Sequence, residues 1–218
     1  MNSLKIKIAI PPFNIAMISS AECYSIFEKS VADYHTHNNL DSRINNPYPD
    51  GDKKSLLYLK NWIDTVQWHL EDVVRDPNID PVKGMAIKRR IDQSNQHRTD
   101  VVEKIDDLFV HHFSNVSPLP EARQNSETPS WLLDRMSILV LKIWHMQEQT
   151  VRTDVSEEHL QRCKAKLDVL LEQRKDMGQC FDELMGEIAA GKKRIKVYRQ
   201  MKMYNDESLN PVLYQKKS

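Results

Sequence analysis

The sequence predicts an all-α fold, a single-domain bundle of four to five long, mostly antiparallel helices, on three observations. Apolar residues recur every three or four positions over long stretches, the spacing that puts one apolar stripe on a helix. Four of the stretches open on a Ser, Thr or Asp able to cap a helix, and three close before Pro or Gly. No run alternates apolar and polar like a half-buried strand, and the 218 residues hold only 5 Gly.

Residues 1–17 form an arm, where KIKIAI could pair briefly before Pro11 and Pro12 end it. The first helix is expected from a Ser19 or Ser20 cap, with Cys23, Ile26 or Phe27, Ser30 and Tyr34 toward the core. A loop around Asn45 to Gly51 follows. The second helix covers Lys53 to Asp76, carries Leu59, Trp62 or Ile63, Val66, Leu70 and Val73 inward, and stops at Pro77. Asp80 caps the third, with Pro81 at its first position and a seam of Ile91, Asn95, Arg98, Val102, Ile105, Phe109 and His112. Beside that seam, Asp92, Gln96, Thr99, Glu103 and Asp106 read as an acidic stripe. Thr128 caps the fourth, whose WLLDRMSILVLKIWHM core is apolar on nearly every side and therefore the most enclosed. Ser156 opens the fifth, with the seam Leu160, Cys163, Leu167, Leu170, Arg174, Met177, Phe181, Leu184 and Ile188, and Gly191 ends it. The bundle thus spans 18–191. Residues 192–218 are a basic, Tyr-containing segment, in which Lys192, Lys193, Arg194, Lys196, Arg199 and Lys202 precede any acid. Tyr204 and Tyr214 within it suggest a closing segment that packs beside the charged part of the bundle.

Charge excludes little globally, because Lys+Arg and Asp+Glu both number 31, so bulk attraction to nucleic acid or an anionic membrane is absent. A nucleic-acid partner is accordingly disfavoured. Cys23, Cys163 and Cys180 are an odd set without close pairs, which speaks against a disulfide framework or a zinc knuckle and for a reducing, cytoplasmic setting. The N-terminal apolar run lacks a leader's cleavage pattern, and no stretch approaches the roughly 20 apolar residues of a membrane span.

Charges placed on apolar seams carry the site prediction. Arg98 and Arg174 interrupt otherwise apolar stripes, and an unpaired charge there costs several kcal/mol unless counter-charges meet it. One outcome is an internal ion-pair network that fixes helix register. The other is an anion pocket built from His69, Asp72, Arg75, Lys88, Asn95, Arg98, Arg135 and Arg174, whose cations would fork onto phosphate or nucleotide oxygens. A third possibility places Mg²⁺ on Glu71, Asp72, Glu103 and Asp106, as in all-α phosphohydrolases, although their paired EExxE pattern is missing. His145 and Glu148 stand in the reverse order of a di-iron Glu-x-x-His motif, and His35 with His37 reads as an ordinary surface or core pair. No P-loop, GxGxxG or nucleophile elbow occurs, so an enzyme is neither established nor excluded.

At WHLED, KRRID, NQHRTD, TPSWLLDRMSILVLKIWHM and YNDESLNPVLY the chain resembles a bacterial family catalogued as domain of unknown function 4254. WHLEDVVR and LLDRMSILVLK also resemble a second uncharacterised family from similar gene neighbourhoods. The resemblance implies a setting near glycosyltransferases of lipopolysaccharide or other surface-polysaccharide assembly. With that setting, the charged residues leave three readings: an accessory protein or ligand-binding enzyme for an anionic sugar-phosphate or nucleotide, a Mg²⁺-dependent phosphohydrolase on Glu71, Asp72, Glu103 and Asp106, or a non-catalytic scaffold for a glycosyltransferase.

Overall fold

The computed structural model describes residues 18–200 and 207–209, so the expected N-terminal arm, Tyr204 and Tyr214 lie outside the described residues. Among the described residues the chain forms five helices, α1 (Ser20–His35), α2 (Lys53–Val74), α3 (Pro81–His112), α4 (Pro129–Thr150) and α5 (Glu157–Ala189). Two short strands, β1 (Arg123–Gln124) and β2 (Lys193–Arg194), pair in parallel. A 3-10 turn covers Glu207–Leu209. None of these helices is long and apolar enough to cross a membrane.

The helix starts follow local chemistry. Ser19, Asp52, Asp80, Thr128 and Ser156 each accept a backbone N–H of the first turn through the side chain, satisfying donors that the helix itself leaves orphaned. Pro81 and Pro129 occupy first-turn positions, where a missing N–H costs nothing. At the end of α5, Gly191 takes φ 69°, Lys192 N–H donates to Glu187 O at 2.8 Å and Gly191 N–H to Ile188 O at 2.9 Å. That pair of bonds is the Schellman closure, and it turns the chain into β2.

The expected antiparallel order holds from α2 to α5 but not at the first connection. Glu22 pairs with Lys54, Ser30 donates to Tyr58 O, and His35 meets His69, so α1 and α2 run the same way. The loop of residues 36–52 makes this possible, because an extended chain of that length outreaches the roughly 24 Å of a 16-residue helix. It is pinned in passing. Asn46 donates to Ser55 O, and Arg90 bonds Leu40 O and Asp41.

One apolar core joins all five helices, with Phe27, Tyr58, Leu133, Met136, Leu141, Phe181 and Met185 fully enclosed. Gly178 lets α5 approach α1, since a Cβ there would sit 3.2 Å from Ser20 Oγ and 3.3 Å from the Tyr24 ring. Asp182 then takes both the N–H and the hydroxyl of Ser20. Burial on α5 is concentrated after Met177, and Val169 and Leu171 in its first half are exposed. On α3 the expected acidic stripe divides: Thr99 and Asp106 are buried and Asp92 faces solvent beside Lys88.

Candidate functional site

Helix α2 is enclosed in its middle, where α1, α3 and α4 all contact it, and the residues there include Lys60, Asn61, Asp64 and Thr65. Lys60 is 1% exposed and Asp64 3%. Lys60 Nζ bonds Asp64 one turn on and lies 2.9 Å from Asp134 Oδ1 on α4. From α3, Arg98 donates through Nε to Asp134 Oδ1 at 2.9 Å and through Nη2 to Oδ2 at 2.6 Å, a side-on fork. Ser137 Oγ donates to Asp64 Oδ2 at 2.6 Å and accepts from Asn61 Nδ2 at 3.0 Å. Two cations thus meet two carboxylates across three helices, which removes most of the cost of burying any one of them.

The two acids differ. Burial pushes the Asp64 carboxyl above its ordinary range, and the charges of Lys60 and Arg98 only partly oppose it. Burial acts the same way on Asp134, but there the Lys60 charge and the Arg98 fork win and hold the carboxyl below the usual range. For Arg98 the cost of burial is outweighed by the Asp134 bonds and the Asp64 charge, which keep its proton firmly on. Asp134 is therefore the more firmly ionised partner, because it alone receives the fork.

The network is not sealed. A cleft of about 250 Å³ opens over it, lined by Asp64, Gln67, Trp68, Glu71, Asp72, Arg75, Arg98 and Ile138. Asp64 Oδ1 has no hydrogen-bond donor, since Arg98 Nε at 3.3 Å is an electrostatic neighbour without hydrogen-bond geometry. An acceptor left so costs about 1–3 kcal/mol. Beside it, the bonds to Asp134 leave part of the Arg98 donor set uncommitted to that carboxylate, and the arginine side chain is 27% exposed. A bound molecule presenting an oxyanion acceptor matches the exposed part of Arg98.

The structure brings some of the expected residues to this place and others elsewhere. Asp72, Arg75 and Arg98 line the cleft with Glu71, and Arg75 pairs with Glu71 at 3.2 Å and Asp72 at 3.7 Å. Asn95 stands next to it, accepting from Gln67 Nε2 at 2.8 Å. Lys88 pairs with Asp92 on the outside of α3, and Arg135 with Glu127 at 3.3 Å near the start of α4. Arg174, expected to face Arg98, instead lies over the Tyr24 ring at 4.4 Å and pairs with Glu28 at 2.5 Å. The polar centre is consequently made by α2, α3 and α4 without α5, because Arg174 sits where α5 meets the exposed flank of α1. His69 is half-buried against His35 and His145.

The four carboxylates considered for Mg²⁺ are not gathered. Glu71 and Asp72 are at the cleft, whereas Glu103 receives Arg199 Nη1 at 3.4 Å and Gln200 N–H at 3.1 Å. Asp106 is buried under the start of α4, near Thr128 and Ser130. Arg199 also bonds Asp107, so the described part of the basic segment runs along the C-terminal half of α3. Lys60 and Asp64 were not expected at all. Their i, i+4 spacing is that of an ordinary solvent pair, and only the apolar residues on every side of them hinted at enclosure.

A family model described as "Protein of unknown function (DUF4254)" matches residues 54–197, a stretch that holds α2 from its second residue through β2 and every member of the network. No curated protein and no solved structure matches the chain.

Proposed function

We propose that this chain, which belongs to the DUF4254 family, is a cytoplasmic ligand-binding accessory protein of bacterial surface-polysaccharide assembly. In this reading the cleft over Asp64 and Arg98 receives an anionic sugar-phosphate or the sugar end of a nucleotide. A glycosyltransferase is the partner that would take or supply that sugar. The pathway follows from the resemblance of WHLED, NQHRTD and the α4 motif set out above. The cleft supplies the chemistry.

One observation carries the proposal: Arg98, 27% exposed and only partly committed to Asp134, lines the cleft with Gln67 and Trp68. A phosphate or ring oxygen of the sugar would accept from Arg98, with the buried Asp64 and Asp134 carboxylates holding the guanidinium from behind. Gln67 offers a further amide, and Trp68 gives a flat apolar wall for a sugar face. Few, well-placed polar groups beside an aromatic wall are the usual make-up of a small-molecule pocket. Glu71 and Asp72 at the rim hold Arg75 and favour a sugar over a bare, highly charged phosphate.

Thermal denaturation of the full chain with hexose 1-phosphates and nucleotide sugars tests this. A ligand at 100 times its Kd should raise the midpoint by on the order of 5 °C or more. Arg98→Lys should lose the shift, because an ammonium cannot keep the fork to Asp134 and reach the ligand as well. A panel that leaves the wild-type midpoint unmoved would remove the proposal.

A further inference from the structure

Next to the cleft, on the far side of Trp68, three histidines from three helices converge. His35 ends α1, His69 lies in α2 and His145 in α4, and one ring nitrogen of each lies within 4.8 Å of the other two. Among the described residues no other group of three His, Cys, Asp or Glu side chains with ligand-like spacing occurs.

From this geometry we infer that His35, His69 and His145 form a binding site for a divalent first-row transition ion of the zinc class, with its fourth position open. Tetrahedral zinc with Zn–N bonds of about 2.0–2.1 Å sets its nitrogens about 3.3–3.4 Å apart. The Nε2 atoms of His35 and His69 are 3.3 Å apart. A ring nitrogen of His145 already lies within 4.8 Å of both, so a small side-chain adjustment completes the set.

The other ring nitrogens are already committed in the way metal-bound imidazoles require. His35 Nδ1 donates to Val31 O at 2.8 Å, and His145 Nδ1 donates to Glu148 Oε2 at 2.9 Å. Each bond puts the proton on Nδ1 and leaves a lone pair on Nε2. His145 Nε2 is buried and has no hydrogen-bond partner, the condition of a ligand atom without its ion. Glu148 is itself held, since Trp144 Nε1 donates to its Oε1 at 3.2 Å.

Ring orientation is fixed as well. Tyr34 stacks on His69, Trp144 on His35 and Trp68 on His145, with centroids 5.2, 4.9 and 4.8 Å apart. Each imidazole is thereby clamped by its own aromatic plane, which lowers the cost of bringing three ligands to one ion. The three ligands are all nitrogen donors, which suits zinc and its neighbours better than the oxygen-seeking Mg²⁺ and Ca²⁺. An open groove among α2, α4 and α5 is lined in part by His145, and a water or substrate oxygen entering from that side would take the fourth position.

The test uses the full chain, stripped with a chelator, desalted and titrated with zinc chloride by calorimetry. One equivalent should bind, and His35→Ala or His145→Ala should weaken binding at least 100-fold. Glu148→Gln, a change at an exposed side chain, should weaken it about 10- to 100-fold through loss of the His145 orientation. Cys163→Ser should leave affinity unchanged, which separates this site from the Cys163–His159 contact at 3.3 Å. If a histidine variant fails to fold, cobalt(II) chloride added to the wild type decides. Intense tetrahedral d–d bands without sulfur-to-cobalt charge transfer support the site. Sulfur charge transfer, a weak octahedral spectrum, or zinc binding that survives the histidine replacements would overturn it.

Discussion

Lys60 Nζ on α2 lies 2.9 Å from Asp134 Oδ1 on α4, with 1% and 7% of the two side chains exposed, and Arg98 grips the same carboxylate from α3. The three helices are therefore held by charge where apolar contact would have sufficed. Lys60→Met leaves two buried carboxylates to one guanidinium, and removing one partner of such a set costs about 3–5 kcal/mol. Urea denaturation should show that loss. Adding Asp64→Leu to Lys60→Met should recover part of it, because the second change removes the carboxylate that the first left unmatched. A Lys60→Met midpoint close to wild type would mean that the network does not hold the helices.

Asp106 gives a pH dependence of known sign. Burial pushes its carboxyl above the ordinary range, and the neighbouring Thr128 and Ser130 hydroxyls and the Arg199 charge offset only part of this. A carboxyl raised in the folded state binds its proton more tightly there than in the unfolded chain. Its contribution to stability is fully present below the unfolded value of about 3.9 and is lost as pH rises through the folded value. Asp106→Asn should consequently be more stable than wild type near pH 7, and the difference should fade as pH falls below about 3.9. Paired urea melts at the two pH values check it.

What the sequence made legible was local. Ser19, Asp80, Thr128 and Ser156 cap where their spacing to the first apolar residues said they would, because capping involves only neighbours within one turn. Arg98 was legible as a charge needing partners, and its partner Asp134 lies in the WLLDRMSILVLKIWHM run that the sequence marked as the most enclosed. Their pairing with Lys60 was not, since a lysine and an aspartate four apart read the same whether solvated or enclosed. The direction of α1 depended on how the loop of residues 36–52 runs, and turn chemistry does not encode that. His35, His69 and His145 belong to separate helices, so no spacing rule could join them, and His35 beside His37 looked like an ordinary pair.

Gly191 supports the exit from α5 by conformation and by room. Its φ of 69° is unfavourable for any side chain, and a Cβ there would lie 2.8 Å from Ser117 O. Its own carbonyl accepts Leu119 N–H at 2.9 Å, which ties the turn to the chain leading into β1. Gly191→Ala should cost about 1–3 kcal/mol. The loss should appear as a lower thermal midpoint, with the β1–β2 amides exchanging faster in hydrogen–deuterium measurements while those of α2 keep their protection.

The three thiols should separate by access. Cys23, on the inner face of α1, is completely buried, and that burial pushes its thiol well above the ordinary range, so almost no thiolate forms at neutral pH. Cys163 is buried with Sγ 3.3 Å from His159 Nε2, and Cys180 is exposed. Labelling of the native chain with a disulfide reagent should show one fast thiol, and Cys180→Ser should remove that phase. In denaturing urea all three should react together, because the difference between them is packing rather than sequence. A fast native phase surviving Cys180→Ser would place one of the other two thiols at the surface and contradict the packing of its helix.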